Sequence, residues 1–343
     1  MGLGGYPEVP LAAARDAARA AREKIRRGVD PIEEAKQARS SLLSQQASAI
    51  TFAEAATQYI EAHEAGWRNT KHAQQWRNTI TKYANPVLGK LLVRDVTAAH
   101  VISVLEPIWR TKTETASRLR NRIELILASA TARGYRSGPN PAAWRGHLDK
   151  LLPPPSRVAK KRHHPALPYA QAPAFMARLR EQSGVGARAL EFVILTAARS
   201  GEVRGARWEE FDEDSATWVV PASRMKAGRE HRVPLSPAAL QVLRAQREVA
   251  VNDWVFPGLK DRPLSDMTLS AVLRRMGVAA VPHGFRSTFR DWCAEQTHYP
   301  NEVAEMALAH IVADKVEAAY RRGDLLERRR QLMDDWASFL QGA

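Results

Sequence analysis

Residues 196–203 read Thr-Ala-Ala-Arg-Ser-Gly-Glu-Val, and the stretch continues to Arg207-Trp208. It ends a mostly apolar segment whose length suits a buried helix, predicted over about 186–197. Downstream, Trp218-Val219-Val220-Pro221, Arg224-Met225-Lys226 and His231-Arg232-Val233-Pro234 read as short strands. Ala227-Gly228 sits between the last two as a hairpin turn. Further helices are predicted over about 169–182, 237–248, 266–276, 284–296, 301–308, 314–320 and 325–340. The half of the chain from 169 onward therefore reads as mainly α with a small antiparallel β-sheet.

Upstream the pattern changes. Residues 152–168 hold Pro153-Pro154-Pro155, then Arg157, Lys160, Lys161, Arg162, His163 and His164. Prolines stiffen such a run and like charges extend it, so it reads as a basic linker suited to lie along a phosphate backbone. Adjacent histidines on an extended strand point opposite ways, which argues against a shared metal.

Residues 51–135 read as an all-helical module. Thr51 and Glu54 have capping-box spacing, and Phe52, Ala55, Ala56, Tyr59 and Ile60 share one helix face. More helices are predicted over about 69–83, 98–109 and 113–133, with Pro107 ending or kinking the third early. Lys71, Arg77, Lys82, Arg118, Arg120 and Arg122 interleave on the polar faces, as phosphate contacts would. Residues 11–27 form one more Ala- and Arg-rich helix of high propensity. The division expected is 1–40, 51–150 for a helical core DNA-binding domain, 151–168 for the linker, and 169–343 for the last domain.

Charge gives the partner class. The chain carries a net charge of +14 with a pI near 10.2, which points to a polyanion. Residues 51–164 hold 19 basic and 8 acidic side chains, so the middle of the chain is the expected grip on nucleic acid. Residues 165–343 hold 24 and 23, so that half must place its cations locally. The single cysteine, Cys293, excludes an internal disulfide and a multi-cysteine zinc site. It is expected to be a buried helix residue. There is no run of 18 apolar residues and no signal-peptide core, so a cytoplasmic protein with no membrane partner is expected.

Four motifs carry chemistry: the segment around Arg199, Arg224-Met225-Lys226, His283-Gly284-Phe285-Arg286, and Leu308-Ala309-His310, followed ten residues later by Tyr320 in Ala318-Ala319-Tyr320-Arg321-Arg322-Gly323-Asp324. In this order and spacing they resemble the catalytic domain of the tyrosine recombinases of phages and genomic islands. The resemblance implies catalytic roles for Arg199, Lys226, His283, Arg286, His310 and Tyr320. Paired guanidiniums suit a phosphate clamp. His283 and Arg286 lie i, i+3, so one helical turn presents both. Tyr320 would be the nucleophile, forming a covalent phosphotyrosine. Lys226 would protonate the leaving 5′-hydroxyl, and the histidines would donate to phosphoryl oxygens or accept the tyrosine proton. Glu202 is expected to buttress an arginine. The acidic run Glu209, Glu210, Asp212, Glu213 and Asp214 reads as a solvated helix end, with no metal and no cofactor required.

The resemblance further implies double-stranded DNA attachment sites, a homotetramer on DNA, and directionality or DNA-bending accessory proteins. Two rival readings stay open: a type IB topoisomerase-like activity and a catalytically inactive DNA-binding remnant. Leu325, Leu332, Trp336 and Leu340 form one apolar helical stripe. It would pack on its own domain or, as in similar recombinases, on a neighbouring protomer. Leu3-Gly4-Gly5-Tyr6-Pro7 and Gly28-Val29-Asp30-Pro31 resemble the later part of an arm-binding domain. By that resemblance Met1 falls where such a domain is half complete.

Overall fold

The computed structural model describes residues 2–5, 7–47, 49–67, 70–160, 164–310 and 323–342. Tyr320, the helix predicted over 314–320, Lys161 and Arg162 lie outside the described residues. The chain divides into two units, 1–161 and 162–343.

In the first unit, α1 (Leu11–Arg26) buries none of its residues. It turns through Gly28, at φ +79°, into α2 (Pro31–Ala47), which has no single apolar face to announce it in the sequence. Asp30 starts α2 by accepting the Ile32 N–H at 2.8 Å. The capping box at Thr51 and Glu54 opens α3 (Phe52–Glu64). α4 (Thr70–Thr79) does not stop near 83. It passes through a π turn (Ile80–Ala84) into α5 (Asn85–Leu88), where Pro86 sits in the first turn and its missing N–H matters little. α6 (Ala98–Trp109) continues past Pro107 instead of ending there, and α7 (Thr113–Ala132) follows. Phe52, Leu88, Leu105, Leu119 and Ile123 form the fully buried centre.

The proline run differs from the extended linker expected. Trp109 Nε1 donates to the Pro153 carbonyl at 3.0 Å, Leu152 is buried, and Pro155 opens a helical turn, α8 (Pro155–Val158). Pro at the start of a turn has its φ already set for helix, so the run folds onto its own unit.

The second unit is built around α10 (Val185–Thr196), buried at every residue from Ala189 to Thr196. α9 (Ala172–Arg180), α11 (Ser200–Arg204), α12 (Pro237–Glu248) and α13 (Thr268–Arg275) pack near it. A three-stranded antiparallel sheet runs in the order β1 (Phe211–Asp212), β2 (Thr217–Val220), β3 (His231–Pro234), with Trp218 opposite Val233 and Val220 opposite His231. Arg224-Met225-Lys226 is not a strand. Residues 221–230 form one long loop of turns whose buried residue is Met225.

α14 (Gly284–Gln296), α15 (Asn301–Ala307) and α16 (Leu326–Gln341) complete the unit. Within the chain, the C-terminal stripe packs on its own domain. Leu332, Trp336 and Leu340 are buried in the core that contains α10, and Trp336 Nε1 donates to the Ile194 carbonyl at 2.9 Å. Cys293 is buried in α14, and burial pushes its thiol up to about 12.

Candidate active site

The site begins where α10 ends. Ala197 takes a left-handed conformation, φ +50°, which stops the helix and turns the chain toward Arg199. Glu202, two residues into α11, then fixes Arg199 at both ends. Its carboxylate accepts the Arg199 backbone N–H and Nη1, each at 2.8 Å. This is the buttress expected of Glu202, and it is buried.

Arg286 comes from the first turn of α14. Gly284 lets that turn approach the 165–166 backbone: a Cβ there would lie 2.0 Å from the Pro165 carbonyl oxygen. Arg286 is 5% exposed, yet its partners among the described residues are neutral acceptors. Nη1 donates to the Ala197 carbonyl, and Nη2 donates to the Leu308 carbonyl and faces His310 Nε2 at 3.3 Å. Burial and the neighbouring Arg199 lower its guanidinium to about 10, opposed by Glu202 and Glu305. It therefore stays charged at neutral pH with no carboxylate in hydrogen-bond contact among the described residues.

The two arginines share an anchor. α15 ends in a Schellman-type turn, with His310 N–H reaching the Glu305 carbonyl at 3.0 Å and Ala309 at φ +47°. Its terminal carbonyls take the site's donors in sequence. Ala307 accepts from His231, Leu308 from Arg286, and Ala309 from Arg199 at 3.2 Å. The carbonyls of the turn that closes α15 thus hold both arginines.

Three histidines differ in setting. His310 Nδ1 meets Glu305 Oε2 at 2.7 Å, which leaves Nε2 to accept from Arg286. Burial pushes the Glu305 carboxyl up, but hydrogen bonds from His310 and Arg290 outweigh it and hold it below the usual range. His283 stands at the N-terminus of α14 and packs edge-on to His164, ring centroids 4.9 Å apart. Burial, then Arg286, His164, Arg199 and His310, push its imidazole below its ordinary value. His231, at the start of β3, was read only as a strand residue. Burial and the charges of Arg329, Arg199 and Arg286 push it down to about 4, against a hydrogen bond to Ala307.

The structure thus brings Arg199, His283, Arg286 and His310 together. Lys226 is exposed on the 221–230 loop, and Tyr320 is not described. The residues missed from sequence are His231, Glu305 and Arg224. Arg224 carried a signal, since it stands two residues before Lys226, but its partner Glu210 lies far off in sequence.

The proposed DNA-binding residues fall into two groups. Lys82, Arg118 and Lys160 are exposed and Arg77 is half-exposed. Arg77 pairs with Glu64 and Arg118 with Glu114, each at 2.7 Å. Lys71 lies in α4, with its side chain outside the description. Arg122 departs from the expected polar face. It is buried, donates to the Gln75 carbonyl at 2.9 Å and stacks over Trp76. Arg120 is nearly buried against Glu124 and the Ala142 carbonyl.

Residues 166–324 match the phage integrase family, residues 52–147 the phage integrase central domain, and residues 1–38 an arm DNA-binding domain. The chain is 33% identical over 340 residues to prophage integrase IntZ of Escherichia coli (strain K12), covering 98% of this chain and 82% of that one. The chain belongs to the phage integrase family of tyrosine recombinases. The chain is also 31% identical to the integrase of Enterobacteria phage P4, over 99% of its own length and 80% of the relative's. Its fold matches a lambda integrase dimer bound to a COC′ core site with a TM-score of 0.63 at 17% identity, covering 95% of this chain and 89% of that one. Among the described residues no helix is long and apolar enough to cross a membrane.

Proposed function

We propose that the chain is a site-specific DNA recombinase that integrates or excises a mobile element through a 3′-phosphotyrosine intermediate. The observation that carries this reading is Arg286: a buried, charged guanidinium beside Arg199, bonded among the described residues to neutral groups. A cation so placed is costly unless an anion completes it, and a phosphodiester fits two convergent guanidiniums.

In this reading Arg199 and Arg286 hold the phosphoryl oxygens. The Tyr320 oxygen bonds to phosphorus and the P–O5′ bond breaks. The departing 5′ oxygen takes a proton from Lys226, and the Tyr320 proton passes to His283, which its surroundings keep neutral. One phosphoester replaces another, so rejoining needs no ATP. His310, oriented by Glu305, stands beside Arg286 at the edge of the phosphate site.

Residues 51–150 would hold the duplex through Lys71, Arg77, Lys82 and Arg118, with Lys160, Lys161 and Arg162 beyond them. Exposed pairs such as Arg77–Glu64 are worth only about 0–1 kcal/mol, so a phosphate can displace the carboxylate. Residues 1–40 would serve as an arm-site segment. A homotetramer on DNA is supported by the fold shared with lambda integrase, which has been seen as a tetramer on a Holliday junction.

The test is a nicked suicide duplex carrying the junction sequence of the element that encodes the chain. Wild type is expected to form a covalent adduct and Tyr320→Phe none. An adduct that persists in Tyr320→Phe removes the nucleophile assignment.

A further inference from the structure

A proton donor has to lie within about 3 Å of the leaving oxygen, and an error near 1 Å can cost about a hundredfold in rate. Lys226 is exposed on a ten-residue loop, so its own packing does not set its reach. The loop is nevertheless fixed two residues earlier. Arg224 Nη1 donates to the Glu202 carbonyl at 2.7 Å, and Nη2 pairs with the Glu210 carboxylate. Glu210 is itself held, its Oε2 accepting from Trp218 Nε1 at 3.0 Å, and Trp218 is fully buried in β2. Gly205 leaves the passage for this side chain, since a Cβ there would lie 2.9 Å from Arg224 Nη1. Met225, the residue after it, is 5% exposed and buried in the core.

Glu202 gives these contacts their meaning. Its carboxylate holds Arg199, and its carbonyl holds Arg224. One residue of α11 thereby ties a phosphate-facing arginine to the base of the Lys226 loop.

We propose that Arg224 is a positioning residue. It links the Lys226 loop to α11, so that the ammonium is in reach of the 5′ oxygen when Arg199 holds the phosphate. The proposal rests on the reading of Lys226 as proton donor.

The experiment is single-turnover cleavage of two nicked suicide duplexes of the same element-junction sequence, one with oxygen and one with sulfur at the bridging 5′ position. A thiol ionises near pH 8.5, while a hydroxyl such as water's ionises near 15.7, so a 5′-thiolate leaves without a proton donor. Arg224→Ala is expected to cleave the oxygen duplex about a hundredfold more slowly than wild type, and the sulfur duplex at close to the wild-type rate. Arg224→Lys, which keeps one donor, should fall between. Lys226→Ala should show the same rescue, and Arg199→Ala should be slow on both. The ratio of two rates from one preparation does not depend on the folded fraction. Equal slowing of Arg224→Ala on both duplexes overturns the positioning role, as does a wild-type rate on the oxygen duplex. If Lys226→Ala is rescued and Arg224→Ala is not, the proposal alone fails. If Lys226→Ala is slow on both, the proton-donor reading falls and takes the proposal with it.

Discussion

His231 sits among Arg329, Arg199 and Arg286, and a proton on its ring would add a fourth positive charge. Its folded value, about 4, lies below the 6.5 of a free imidazole. Between those values the unfolded chain binds a proton that the folded chain refuses. Stability from this group is therefore complete above pH 6.5 and is lost as the pH falls toward 4. The full loss is about 3 kcal/mol, at 1.36 kcal/mol per unit. His231→Gln keeps a donor for the Ala307 carbonyl and removes the titration. Its urea midpoint should fall less steeply with acid than that of wild type, and identical slopes would refute the assignment.

His283 predicts in kinetics what His231 predicts in stability. Its imidazole is lowered, so it stays neutral and able to accept a proton below pH 6.5. The acid limb of kcat/KM, which reports the free enzyme, should therefore lie below pH 6.5. A limb above 6.5 would exclude His283 as the base.

Arg199, His283, Arg286 and His310 were legible because each stands in a short local motif. His231 was not, because its importance arises from α15 ending opposite the start of β3, a meeting that no local pattern encodes. Arg122 misled for the opposite reason. It lies beside the apolar stripe of Leu119, Ile123 and Ile126, close enough for its stem to bury and its head to find Gln75 and Trp76.

Among the elements, α16 shows how far an apolar stripe can be read. Leu332, Trp336 and Leu340 announced the helix and its buried face, but both destinations for that face were open. Within its own domain that face is fixed by Trp336 on the Ile194 carbonyl, a backbone acceptor with no sequence signature. Arg329 was not foreseen at all. It is 1% exposed, yet Nη1 donates to the Arg232 carbonyl at 2.6 Å, Nε to the Asp324 carbonyl at 2.7 Å, and Nη2 to Asp324 Oδ2 at 2.9 Å. Asp324 is also gripped bidentately by Arg232. Arg329→Leu fills the space but strands two carbonyls, each costing about 1–3 kcal/mol when left unpaired. The expected loss is about 3 kcal/mol, and the amides of α16 should lose exchange protection first. Protection equal to wild type would mean that Arg329 does not tie α16 to β3. The Arg224–Lys226 segment fails as a strand for a comparable reason. Its alternation is real, but Arg224 is committed to Glu202 and Glu210, which pulls the backbone into turns.

At the scale of the whole chain, the charge excess of residues 51–164 predicts how DNA affinity responds to salt. Each phosphate neutralised releases counterions and adds about −0.9 to the slope of log K against log salt. Lys82 and Lys160 are exposed, so the double variant Lys82→Ala/Lys160→Ala should make that slope shallower by about 1.8, for two phosphates lost. Arg122→Ala removes one positive charge from the same unit. Its guanidinium is spent on Gln75 and Trp76 inside the helical unit, so it should lower stability and leave the slope unchanged. Net charge alone predicts equal effects per charge removed; burial predicts unequal ones. Titrating a fluorescent duplex at several salt concentrations separates the two. A slope change for Arg122→Ala equal to that for each lysine would mean that total charge, and not the exposed set, grips the DNA.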